Sequence, residues 1–167
     1  MNSLLKLLLL LSCMVLANFS VAQAETHYFF GLENLHGVWQ VNKPESEREK
    51  AFQLKYHLIS KDKAFVEVYG DPAKQTTETI FYRDGKDLMA THYCARGNQP
   101  RLKMFNSAQK NTVEFKFQDI TNLSNKNDAH MVRMKFTFID KDHFEKEEVY
   151  LVNGKEEASS MSLVRVN

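Results

Sequence analysis

The sequence predicts an all-β protein: an antiparallel up-and-down β-barrel of about ten strands, with a short N-terminal helix or turn. Three observations lead there. Apolar and polar residues alternate with period two over most of the chain. Turn-forming residues separate these runs at short intervals. No long helical pattern interrupts them. Phe52, Leu54, Tyr56 and Leu58 alternate with Gln53, Lys55 and His57. Val113, Phe115 and Phe117 alternate with Glu114, Lys116 and Gln118, and Val132, Met134, Phe136 and Phe138 with Arg133, Lys135 and Thr137. Alternation buries one face of a strand and wets the other, as in antiparallel sheet. The aromatic and β-branched residues of these runs suit a pleated surface. Closing the meander into a barrel removes the exposed edges it would otherwise leave, and a two-sheet sandwich is the alternative architecture.

In chain order, the first segment is an expected secretory signal peptide, residues 1–24. Lys6 precedes an uncharged apolar run from Leu7 to about Phe19, and Val21-Ala22-Gln23-Ala24 offers small residues where an export peptidase reads. The run is too short for a membrane span and no stop-transfer charges follow. The expected location is therefore periplasmic or secreted. Leu10-Leu11-Ser12-Cys13 offers a lipoprotein as the rival, and the apolar stretch from Met14 to Phe19 argues against it. Residues 25–167 are expected to form a single domain, long enough to bury a core. Residues 1–24 carry Lys6 and no acid, so basic and acidic side chains then balance at 21 each. That balance argues against nucleic acid as a partner. No later apolar run is long enough for a transmembrane span.

Tyr28, Phe29, Phe30 and Leu32 lie in a stretch, Thr26 to Asn34, that reads as a short helix or lid-like turn. Leu35 to Val41 reads as the first strand. Asn42 to Lys50, with Pro44 and a charged run, reads as a solvated connector or one helical turn. The hairpin turns are Ser60-Lys61-Asp62, Gly70-Asp71-Pro72, Arg83-Asp84-Gly85, Asp140-Lys141-Asp142 and Asn153-Gly154. Asp-Gly and Asn-Gly supply positive φ at little steric cost. Asp119 to Ala129, rich in Asn and Ser, is expected to be a rim loop. The run Glu145-Lys146-Glu147-Glu148 reads as a solvated strand end, and His57 and His130 as ordinary hydrogen-bonded strand residues.

Asp87 to Phe105 is the richest stretch, reading as strand, tight turn, strand. It holds Cys94, the sole cysteine after residue 24, so residues 25–167 cannot form an internal disulfide. A lone exported thiol is buried, paired with another chain, or used. On a strand His92 and Cys94 point to the same side as Leu88 and Ala90, while Thr91 and Tyr93 point to the other. Facing inward, His92 and Cys94 could contact a ligand, a soft metal or haem iron. They are equally a hydrogen-bonded barrel residue and a packed thiol. In the turn that follows, Gly97-Asn98 and Pro100 satisfy turn geometry. Arg101, or Asn98 with Gln99, could line the barrel mouth and hold a polar head group. Nucleophile elbows, zinc-protease helices and phosphate loops are missing from the sequence, so an enzyme ranks behind a binding protein.

Gly37-Val38-Trp39 at the first strand, a run of hairpins, and Arg165 near the end of the last strand resemble the calycin superfamily. That group comprises lipocalins, fatty-acid-binding proteins and related barrels, nitrobindin-like ones among them, that hold haem or other ligands. The resemblance implies that Trp39 packs across the closed end and Arg165 lies on its face, with Gly37 beside them. The strand count leans toward the fatty-acid-binding or nitrobindin side. Thr91-His92-Tyr93-Cys94 followed by Gly97-Asn98-Gln99-Pro100-Arg101 is similar to small exported bacterial proteins with lipocalin-like barrels, and implies no chemistry. The function expected is non-covalent binding of a small apolar or amphipathic ligand in the barrel, with His92, Tyr93 and Arg101 as polar anchors and Cys94, Asn98 and Gln99 beside them. Haem or metal binding through His92, and a solid-cored interaction module, are the alternatives.

Overall fold

The computed structural model describes residues 28–105, 111–125 and 127–166. The expected signal peptide lies outside them. Ten antiparallel strands close into a barrel in simple up-and-down order: β1 Gly37–Val41, β2 Gln53–Ile59, β3 Ala64–Gly70, β4 Thr76–Asp84, β5 Asp87–Tyr93, β6 Gln99–Phe105, β7 Thr112–Thr121, β8 His130–Phe138, β9 His143–Val152 and β10 Lys155–Arg165. β1 pairs with both β2 and β10, so the barrel, rather than the sandwich, is formed. No described helix is long and apolar enough to cross a membrane.

The turns follow from their residues. Asn153 and Gly154 both have positive φ, at 52° and 77°, and join β9 to β10 in a two-residue hairpin. Such turns match the right-handed twist of the strands they join. The Asn-rich segment is shorter as a loop than expected. β7 continues through Asp119, Ile120 and Thr121, which pair with Arg101, Pro100 and Gln99 of β6. A bulge between Arg101 and Leu102 accommodates the extra residue, and a second sits between Met131 and Arg133 of β8. The connector after β1 is a short helix, α1 (Glu47–Ala51), started by a capping box. Ser46 Oγ accepts from the Glu49 amide and the Glu49 carboxylate accepts from the Ser46 amide. Two otherwise orphaned amides are thereby satisfied.

The core fills one half of the barrel. Phe65, Phe81, Phe115, Phe136 and Phe144 are fully buried around Trp39. The chain before β1 plugs this end. A 3-10 turn, Leu32–Leu35, buries Leu32 and Leu35, and Phe29 packs on Phe65 at 5.6 Å. Trp39 donates from Nε1 to the Leu35 carbonyl at 2.7 Å and meets Phe144 edge-on at 4.7 Å. Trp39 and Arg165 are direct partners across β1 and β10, and the guanidinium lies 4.2 Å from the indole centre. The same guanidinium donates to the carbonyls of Asn34 and His36, both at 2.8 Å, tying the plug to the wall. Gly37 has φ of 123°, and a Cβ there would stand 3.2 Å from Arg165 Nη1. The glycine of Gly37-x-Trp39 thus leaves room for the arginine that covers the tryptophan.

Candidate ligand cavity

The other half of the barrel is hollow. An open cavity of about 1390 Å³ runs from its mouth to a floor that includes His92, Glu148 and Tyr150. It exists because inward residues change character along the strands. On β9 the inward series reads Phe144, Lys146, Glu148, Tyr150; on β3 it reads Phe65, Glu67, Tyr69. On β5 it reads Leu88, Ala90, His92. Each begins apolar at the plugged end and becomes polar toward the open one.

The wall is also incomplete on one side. β1 last pairs with β10 at Val41 and Leu163, and the Asn42 amide reaches the Ser162 carbonyl at 2.9 Å. Beyond that point the chain leaves the wall as the loop to α1, while β10 continues to Lys155. β10 is exposed on both faces from Lys155 to Ser160. Residues of this free half, with Ser46, Arg48 and Glu49, border the cavity.

Between core and cavity lies a buried polar layer. Lys146 Nζ donates to Glu67 Oε1 and to Glu148 Oε1, both at 2.6 Å. Tyr56 Oη donates to Glu67 Oε2 at 2.6 Å. Lys146 and Glu67 are each 1% exposed. Burial alone would push the Lys146 ammonium down, but the two carboxylates more than offset it and raise its pKa. Burial pushes the Glu67 carboxyl up, against the pull of Lys146. Burial and the Glu148 charge push Tyr69 up to about 12. Pairing of this kind is what keeps charges tolerable away from water.

Lys146, Glu148 and Glu67 correct the reading of Glu145 to Glu148 as a solvated strand end. The run lies in the middle of β9, and only Glu145 and Glu147 face outward. The signal was strand parity: Phe144 and Tyr150 face inward, which forces Lys146 and Glu148 inward with them. Glu67, between Phe65 and Tyr69, obeys the same rule.

His92 is buried and holds partners at both ring nitrogens. Thr79 Oγ1 lies 3.0 Å from Nδ1 and Tyr150 Oη 3.2 Å from Nε2. Burial pushes its pKa down to about 4, so the imidazole is neutral, donating at one nitrogen and accepting at the other. Cys94 lines the cavity on the same side. Its amide and carbonyl close the following turn, with the Asn98 carbonyl and the Gly97 amide.

The structure does not bring the remaining candidates to the cavity. Tyr93 is half exposed on the outer wall, as its parity on β5 requires. Arg101 points outward and forms a two-pronged ion pair with Asp119 of β7. Gln99 bonds Thr121 Oγ1 and the Gly97 carbonyl on the surface. Asn98 is buried but turned to the Ala129 carbonyl at 3.0 Å, pinning the turn to the strand approach opposite. These four are structural residues of the β5–β6 hairpin. His130 bonds the Asp128 carbonyl, whereas Nδ1 of His57 is buried without a partner among the described residues.

Haem or metal ligation fits the site poorly. Both His92 nitrogens are engaged, and no cluster of three or more potential ligand side chains occurs among the described residues. The fold and the cavity together define a ten-stranded antiparallel barrel, plugged at one end and cupped at the other. No known family model matches the chain, and a search of curated proteins finds no match either.

Proposed function

We propose that the protein is an exported carrier or sensor that holds a small amphipathic ligand in the open half of a calycin-type barrel. The cavity carries this reading: about 1390 Å³ above a floor of buried polar groups. Ligand sites are concave, with apolar walls and a few placed polar groups. Phe52, Tyr69, Val152 and Met161 supply apolar wall, and His92, Glu148 and Tyr150 supply the polar floor. His92 is already bonded to Thr79 and Tyr150. A wholly apolar ligand would cover Glu148 Oε2, which has no partner among the described residues, without bonding it, at a cost of about 1–3 kcal/mol. The ligand therefore enters polar end first. The calycin likeness rests on Gly37, Trp39 and Arg165, and export on the sequence of residues 1–24.

Native mass spectrometry of the protein isolated from the cell that makes it is the test. Mass above that of the polypeptide, lost on denaturation, is the expected result. A bare polypeptide, together with no thermal shift across a panel of amphipathic small molecules, would overturn the proposal.

A further inference from the structure

The floor of the cavity has a charge imbalance. Two buried carboxylates, Glu67 and Glu148, share one ammonium, that of Lys146. Glu67 is fully bonded, to Lys146 through one oxygen and to Tyr56 through the other. Glu148 is not. Its Oε1 accepts from Lys146, and its Oε2 has no partner among the described residues. Yet the side chain is only 9% exposed and the residue lines the cavity. That oxygen is not sealed off: it opens onto the cavity, where a donor group of a ligand can reach it.

The groups around it are suited to a cation. Phe52, Tyr69 and Tyr150 line the cavity with Glu148. The Tyr69 ring already takes the Lys146 ammonium against its face, 4.7 Å from the ring centre, and meets Phe52 edge-on at 4.6 Å. Aromatic faces attract ammonium ions, most strongly where water is excluded. A divalent metal needs several oxygen ligands, and one free carboxylate oxygen does not supply them. The rim gives no bias of its own, because its four basic and four acidic side chains cancel. The preference is set at the floor.

We infer that the cavity selects ligands carrying a protonated amine, seated with the ammonium at Glu148 Oε2 among Phe52, Tyr69 and Tyr150 and the apolar body toward the mouth. This rests on the ligand-binding reading above and adds the chemical class. The arriving cation completes a neutral layer of two carboxylates and two ammonium groups.

The test is isothermal titration of the whole protein with three probes of one chain length, n-decylammonium, decan-1-ol and decanoate, the two ions below their micelle concentrations and the alcohol below its solubility limit. The ammonium is expected to bind at least about tenfold tighter than the alcohol, the size of one well-placed charged hydrogen bond. Decanoate is expected to bind weakest. Glu148→Gln, which keeps an acceptor for Lys146, should abolish the preference of the ammonium over the alcohol. The wild-type ranking needs no variant, so misfolding of Glu148→Gln leaves the inference testable. Equal binding of ammonium and alcohol, or tighter binding of decanoate, overturns the amine preference while leaving a ligand cavity in place. Failure of all three to bind overturns it too, and native mass spectrometry then decides the fate of the cavity reading separately.

Discussion

The two ends of this barrel are built from the same ten strands and do opposite things with them. At the plugged end every inward position is filled, and the charge brought there, Arg165, is spread over an indole face and bonded to backbone carbonyls. At the open end the inward positions are polar, the wall between β1 and β10 parts, and a carboxylate oxygen is left without a partner among the described residues. One end contributes stability. The other keeps polar groups at the cavity floor that stability alone would not require, and these are the groups on which the proposed ligand site rests. The layer of Tyr56, Glu67, Lys146 and Glu148 is the boundary between them.

The sharpest way to break the comparison is at Trp39. The side chain is 1% exposed and anchors the plug, the core and Arg165 at once. Trp39→Ala is expected to destabilise by about 3–5 kcal/mol. Urea unfolding followed by circular dichroism reads it. A loss below about 1 kcal/mol would mean that the plugged end is not where the stability resides.

At the open end the prediction concerns pH. His92 is neutral in the fold, with its pKa lowered from 6.5 to about 4 by burial. A depressed folded-state pKa means that the unfolded chain binds the proton first. Stability is therefore complete above pH 6.5 and is lost as pH falls toward 4, by about 3 kcal/mol in all. The groups facing the ring are Thr79 from β4 and Tyr150, Glu148 and Lys146 from β9. Glu67 acts oppositely, since its raised pKa favours the fold at low pH. The measurement is thus the difference between wild type and His92→Gln across that window. A flat difference would show that the floor is wet and the imidazole solvated.

Much of this was legible from the sequence, and the reason is periodicity. Alternation gave the strands and turn residues gave the hairpins, while the plugged end at Gly37, Trp39 and Arg165 came from the calycin resemblance and not from periodicity. Parity alone put His92 and Cys94 on one face. The buried layer was missed because Glu145 to Glu148 was read by charge, although the parity of Phe144 and Tyr150 already placed Lys146 and Glu148 inside. Charge is a poor guide to burial when the charges pair with one another, and the partner here, Glu67, lies 79 residues away in sequence. No local pattern reports such a pair. Nor does local pattern show that β1 stops at Val41 while β10 runs on, and that mismatch is part of what opens the cavity.

The smallest expected effect tests the same lesson on the outer wall. Arg101 sits in the turn-rich stretch that looked most like a site, yet Leu102 of the same strand is buried and Arg101 therefore faces water. Its partner is Asp119 of β7, opposite Arg101 at the point where the β6–β7 register shifts. Exposed ion pairs are screened by solvent and contribute little. Arg101→Ala should leave the unfolding midpoint close to wild type and leave decylammonium affinity within twofold, a change of about 0.4 kcal/mol at most. A loss of tenfold or more in that titration would place the head group at the β5–β6 hairpin instead of the floor. The division of the barrel into a stabilising end and a proposed binding end would then have to be redrawn around the rim.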